Sequence, residues 1–130
     1  MNFYFDENIP GAIARAVSEL ERSATNYNVQ HTKDAWGEGI LDPELIRNLH
    51  DVDGILITND LKMKKAYCEQ LAKNKITAFF ISFPSGASYE NRYTLVINNW
   101  LTIKQISETE KRPFLCKIKS RGKPEISRIT

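Results

Sequence analysis

Short apolar runs alternate along this chain with longer segments in which apolar residues recur every three or four positions. Asn2–Phe5 reads as a short strand. Pro10 suits the first turn of a helix, and Ile9–Arg22 carries Ile13, Val17 and Leu20 at helical spacing. Tyr27–His31 reads as a second strand, and Lys33–Leu41, with Gly37 and Gly39, as a loop. Asp42-Pro43-Glu44 has the order of an N-cap, a first-turn proline and a first-turn acid. The helix it starts is expected to reach about Val52, with Leu45, Ile46 and Leu49 inward. "GILIT", residues 54–58, is a continuous apolar run, the pattern of a strand buried on both faces. Asn59 or Asp60 then caps a helix through about Lys73, and Ile76–Phe83 is a further buried strand. Ser88–Ser107 is helical, with Tyr93, Val96, Ile97, Trp100, Leu101 and Ile103 as its stripe. Pro113–Ile118 and "EISRI", 125–129, read as the last strands.

Strands alternating with helices imply βαβ units, right-handed crossovers and an α/β fold. The sheet is expected to be mostly parallel, with helices on both faces. In such sheets ligands bind beyond the carboxyl ends of the strands. Asp6 follows the first strand and Asp60 follows "GILIT", so both leave the same edge. Asp42 starts a helix running back antiparallel to the strands, which puts it at that edge too.

The chain has 130 residues, which suits one domain over residues 1–130. With 42% apolar and 26% charged residues, disorder is excluded as the main state. A net charge of +2 is too mild to announce nucleic-acid binding. The charge is uneven, however: Lys111–Arg128 holds seven Lys or Arg against Glu125 alone. This basic segment, 111–130, suits a phosphate, an acidic partner or plain solvent. Cys68 and Cys116 belong to no metal-binding cluster and read as ordinary reduced thiols. No apolar stretch approaches membrane-spanning length and no signal-like segment opens the chain, so the cytoplasm is the expected location.

Three carboxylates at one edge repel one another, and a divalent cation compensates. Oxygen-only ligands suit Mg²⁺ or Mn²⁺. Asp6, Asp42 and Asp60 are therefore the candidate metal ligands and catalytic residues. One ion acidifies water and polarises a phosphoryl oxygen; a second, roughly 4 Å away, stabilises the leaving oxygen. Hydrolysis of a phosphodiester is the natural reaction. Thr58 and Asn59 offer neutral hydrogen bonds beside Asp60. Lys62 suits a substrate phosphate or neutralisation of the acids, and Asn8 a bond to a ligating carboxylate or to water. Glu44 is either a fourth ligand or a first-turn acid favoured by the helix dipole. Asp42 and Asp60 taken singly are accounted for as caps, and Glu7 as a solvated loop residue. His31 and His50 lack metal-ligand spacing. Trp36 either stacks on a base or packs on the domain surface, and Trp100 belongs to the core. The apolar face around Tyr93–Trp100 suits a core or a homodimer.

"FYFDENIP" at the start, "GILDPELI" at 39–46 and "GILITND" at 54–60 together resemble the PIN-like nuclease family. The resemblance is to the branch found as toxins of bacterial toxin–antitoxin pairs, and it covers residues 1 to about 83. It implies a three-layer PIN-like sandwich and Mg²⁺- or Mn²⁺-dependent cleavage of RNA. Asp6, Asp42 and Asp60 fall on the family's acidic positions, and Thr58 and Asn59 on the polar ones beside the third acid. Many members have a fourth acid a few residues later, where this chain has Lys62, Lys64 and Lys65. The resemblance also implies a small antitoxin partner, often with a helix-turn-helix DNA-binding part.

Other readings fit less well. A dehalogenase-like phosphatase needs a second Asp two residues after the first, where Asn8 stands. A receiver domain needs a Lys that "FISFPSG", 80–86, does not supply. A non-catalytic PIN-like module binding RNA or protein keeps the acids and accounts equally well for the lysines.

Overall fold

A computed structural model describes residues 1–128. The elements are β1 (Asn2–Phe5), α1 (Gly11–Arg22), β2 (Asn28–His31), α2 (Thr32–Trp36), α3 (Asp42–Val52), β3 (Gly54–Asn59), a 3₁₀ turn (Asp60–Lys62), α4 (Lys65–Lys73), β4 (Thr77–Ile81), α5 (Tyr89–Thr109), β5 (Phe114–Ile118) and β6 (Glu125–Arg128). Ile129, the end of the expected last strand, lies outside the described residues. Six strands form one sheet in the order β2-β1-β3-β4-β5-β6. All neighbours are parallel except β5 and β6. The expected α/β architecture, a mostly parallel sheet flanked by helices, is the one observed.

Burial explains the strand sequences. Every residue of β3 and β4 is buried, as their unbroken apolar runs require. Side chains still alternate between faces. Phe3, Phe5, Ile55, Ile57, Phe79 and Ile81 pack with α1 and α5 residues such as Ile13, Val17, Val96 and Ile103. Tyr4, Leu56, Ala78 and Phe80 pack on the other face with Leu45, Ile46 and Leu49 of α3 and Leu71 of α4. Gly54 is required where β3 begins: a Cβ there would stand 2.9 Å from the Tyr4 ring and 3.0 Å from Leu49 Cδ2. Trp100 is in the core, as expected.

Several local expectations give way to tertiary contacts. Thr32–Trp36, expected as part of a loop, is a helical turn ended by Gly37 at φ 92°. It carries Trp36 onto the Tyr4 ring, with centroids 4.5 Å apart, so this tryptophan is packed. Leu20, expected inward, is 57% exposed, while Glu21 is buried. The reason is a set of donors on the facing helix and turn: Glu21 accepts from Trp100 Nε1, Thr25 Oγ1 and Lys104 Nζ. Asp42 is not the N-cap of α3. Leu41 takes that position and no side chain caps the helix, because the Asp42 carboxylate is engaged elsewhere. Nor does one helix run from Asp60 to Lys73. Asn59 caps the 3₁₀ turn by accepting from Leu61 N–H, and α4 starts afresh at Lys65. On α5 the apolar stripe is wider than the buried face: Val96, Trp100 and Ile103 are buried, whereas Tyr93, Ile97 and Leu101 are exposed.

Candidate active site

The carboxyl ends of β1 and β3 lie side by side, with Phe5 opposite Ile57. Asp6 extends that ladder, its N–H donating to Ile57 O at 2.8 Å. Its backbone is thereby fixed, and its carboxylate is almost wholly buried. Oδ1 accepts from Glu7 N–H at 2.8 Å, and Oδ2 from the Thr58 hydroxyl at 3.0 Å. Thr58 Oγ1 also lies 3.1 Å from Asn8 Oδ1, so one hydroxyl proton faces two acceptors. Asn8 Nδ2 donates in turn to Asn59 Oδ1 at 3.3 Å. Thr58, Asn8 and Asn59 thus form a neutral hydrogen-bonding shell beside the carboxylate of Asp6.

Lys62 closes the other side. Its ammonium lies 3.0 Å from Asp42 Oδ1 and 3.9 Å from Asp6 Oδ2. The structure therefore brings Asp6 and Asp42 to one positive charge. The expected repulsion between acids at this edge is relieved by a residue of the chain itself. The same ammonium lies 5.1 Å from the centroid of the Tyr67 ring, in cation–π range.

Tyr67 is the residue that sequence reasoning missed. It is buried, and its hydroxyl has no hydrogen-bond partner among the described residues. Burial, and then the nearby charges of Asp6 and Asp42, push its pKa well above the ordinary phenol range. The hydroxyl is therefore neutral. Helical spacing in α4 marks Tyr67 as inward-facing, but nothing in the sequence says that it meets Lys62. Asn8, Asp42, Asn59, Leu61, Lys62, Lys64 and Tyr67 line one open cavity of about 280 Å³.

Asp60 is placed differently. It accepts from Ser82 Oγ at 3.0 Å and lines a second cavity, of about 380 Å³, with Phe83, Ser85, Gly86 and Arg92. The two cavities share Asn59 and Leu61. Asp60 is thus at the same sheet edge as Asp6 but on the other side of the Asn59–Leu61 turn. Glu44 is exposed in the first turn of α3 and lines neither cavity. Glu7 accepts from Gly39 N–H at 2.6 Å and ties down the loop before α3. Among the described residues, no three His, Cys, Asp or Glu side chains are grouped closely enough to hold one ion. His31 donates to or accepts from nothing in this site; its Nε2 bonds the Ile9 carbonyl at 2.8 Å.

A family model described as a PIN-like domain matches residues 1–83. The chain belongs to the PIN-like domain family. The matched segment runs from β1 through β4 and holds Asp6, Asn8, Asp42, Thr58, Asn59, Asp60, Lys62 and Tyr67. Searches of curated proteins and of solved structures give no match. The PIN-like domain is a nuclease-type fold.

Whether the edge fits a divalent cation can be tested on its donors. Asp42 supplies a carboxylate and Asn8 and Asn59 supply amide oxygens at one cavity; the buried Asp6 carboxylate adds Oδ2, 3.9 Å from the Lys62 ammonium that lines it. Mg²⁺ is commonly held by one or two carboxylates with the remaining positions filled by water. This donor set therefore fits a single hydrated ion at the place where the ammonium now sits. It does not assemble a three-acid cluster for two ions. Among the described residues no helix is long and apolar enough to cross a membrane.

Proposed function

We propose that this PIN-like domain is an endoribonuclease that hydrolyses RNA phosphodiester bonds with Mg²⁺ or Mn²⁺ held by Asp6 and Asp42. The observation that carries the reading is the positive charge already accommodated between these two acids at the ligand-binding edge of the sheet. A bound ion supplies Lewis acidity for a phosphoryl oxygen and lowers the pKa of water. The chain supplies the rest. Thr58 and the Glu7 N–H hold the Asp6 carboxylate in one orientation. Asn8 and Asn59 offer amide groups to water or a phosphate oxygen. Lys62 and Lys64 attract the phosphate backbone, and Tyr67 presents a protonated hydroxyl. Asp60 adds charge at the same edge and contributes from the adjoining cavity.

The family's toxin branch suggests the biological setting: a toxin inhibited by a small, DNA-binding antitoxin. Growth arrest on expression, relieved by co-expressing the neighbouring reading frame, tests that part.

The decisive experiment measures cleavage of single-stranded RNA with Mn²⁺ by the wild type, Asp6→Asn and Asp42→Asn. Either variant is expected to lose about 100-fold or more of the rate, the size of loss seen when a preorganised electrostatic contact is removed. Asp60→Asn is expected to lose less, because its carboxylate is bonded to Ser82 rather than to the Lys62 ammonium. A wild type that cleaves with neither ion sinks the proposal. A second reading, an RNA-binding module without turnover, is favoured by one observation: Lys62 already supplies a positive charge to both Asp6 and Asp42. RNA binding without cleavage, by a protein that no ion stabilises, would establish it.

A further inference from the structure

Lys62 occupies the place that the proposed reading gives to the divalent ion. Its ammonium is bonded to Asp42 at 3.0 Å and stands 3.9 Å from Asp6, yet the bonded pair is not locked: the Lys62 side chain is 32% exposed and that of Asp42 is 42% exposed. Solvent screens such a pair and exchange from it is easy. The charge balance is also incomplete, since one ammonium against two carboxylates leaves one negative charge uncompensated. A divalent cation would complete it and leave the ammonium without a partner. The freed lysine stays in a cavity that Lys64 also lines, at a sheet edge open to solvent. Its natural next partner is an anion, and the phosphate of a bound nucleic acid is the one this edge offers.

We propose that Lys62 is a tethered, displaceable cation that couples ion binding to phosphate binding. The ammonium and the divalent ion compete for Asp6 and Asp42, and a nucleic-acid phosphate draws Lys62 away and opens the place. Ion and nucleic acid then bind with positive coupling, and each tightens the other by the same factor. The acids are shielded while the site is empty of substrate. This proposal rests on the reading that the ion lies between Asp6 and Asp42, but its readout is binding rather than turnover.

The test is calorimetric titration of Mn²⁺ into the wild type, Lys62→Gln and Lys62→Arg. Each titration is run with and without a short single-stranded oligonucleotide carrying hydrolysis-resistant phosphorothioate linkages. Lys62→Gln is expected to bind Mn²⁺ about tenfold more tightly than the wild type when alone, within the usual range of coupling factors. The oligonucleotide should tighten Mn²⁺ binding to the wild type and to Lys62→Arg, but not to Lys62→Gln. A Lys62→Gln protein that binds Mn²⁺ no more tightly than the wild type overturns the proposal, whatever the cleavage assay gives. Equal tightening by the oligonucleotide in all three proteins also overturns it. If Lys62→Gln folds poorly, the Mn²⁺-induced rise in Tm decides: it should be larger than in the wild type, and an equal or smaller rise counts against competition. Adding Asp42→Asn to Lys62→Gln should abolish the gain. Retention of the gain would overturn the proposal by showing that the tighter ion sits elsewhere.

Discussion

Residue by residue, the site is a set of polar groups most of whose needs are met by neighbours. The hydroxyl of Tyr67 is buried without a partner among the described residues. An unmet buried donor costs about 1–3 kcal/mol, so its presence is an expense unless it serves the ligand. Tyr67→Phe separates the two cases. It removes only the hydroxyl and keeps the ring against Lys62. The variant is expected to be as stable as the wild type or slightly more so, by thermal unfolding. Its RNA cleavage should nonetheless fall about tenfold, the lower end of what outer groups around a metal site contribute. Unchanged cleavage would reduce Tyr67 to packing. Asp6 shows the opposite economy. Its carboxylate oxygens accept from Glu7 N–H and the Thr58 hydroxyl, so its orientation is fixed.

At the scale of elements, α1 and α5 are joined by a polar pin rather than by apolar contact alone. Glu21 of α1 accepts from Trp100 Nε1 at 2.8 Å and from Lys104 Nζ at 2.7 Å, both on α5. Burial by itself raises the Glu21 pKa, but the bonds from Lys104, Trp100 and Thr25 outweigh it and hold the carboxyl below its ordinary value. A lowered folded-state value means stabilisation that is present above the unfolded-state pKa and disappears as pH falls through the folded one. The wild type should therefore lose Tm as the pH drops below about 4.3, the unfolded carboxyl range. Glu21→Gln should cost about 3 kcal/mol at neutral pH, since it leaves Lys104 beside an uncharged group in a buried setting, and should show a flatter acid limb. An unchanged acid limb would place the pH dependence elsewhere. This pin also explains what the sequence concealed. Helical spacing pointed Leu20 inward, yet Glu21 one position later takes the buried place because three donors converge on it. The strands were legible throughout, since burial on both faces leaves an unmistakable apolar run in β3 and β4. Their shared edge, and hence Asp6 beside the end of β3, followed from the βαβ alternation. Neutralisation of the acids was one of the two roles that the position of Lys62 offered, and the structure shows it; that Asp42 is the nearer partner was not legible, because a DPE start has a sufficient local explanation as a cap. The turning of Asp60 towards Ser82 depends on a 3₁₀ turn that looks, in sequence, like the start of α4.

For the whole molecule, the parallel sheet decides which charges share a surface. Because β1, β3, β4 and β5 are parallel, the segment after β5 leaves the same edge as Asp6 and Asp60. That segment holds Lys119, Arg121 and Lys123. Lys119 is paired with Glu125, whereas Arg121 and Lys123 are exposed and form no ion pair among the described residues. Three strand spacings separate β1 from β5, roughly 14 Å at about 4.8 Å each, a span of a few nucleotides. The basic end of the chain thus extends the edge on which the acids and Lys62 stand, and Arg92 lines the cavity between. A net charge of +2 hides this arrangement, because it averages over faces that the sheet keeps apart. If RNA runs along this edge, Arg121 and Lys123 each neutralise a phosphate far from the bond that is cut. Replacing both by Ala should weaken RNA binding alike for every sequence tried. It should also lower the slope of log K against log salt by about 1.4, at roughly 0.7 per phosphate contact for a single strand. Fluorescence anisotropy across a series of KCl concentrations measures both. Cleavage at saturating RNA should stay at the wild-type rate, because neither residue reaches Asp6 or Asp42. A salt slope unchanged from the wild type would make the basic end a solvated terminus and confine RNA contact to the cavities on either side of Leu61.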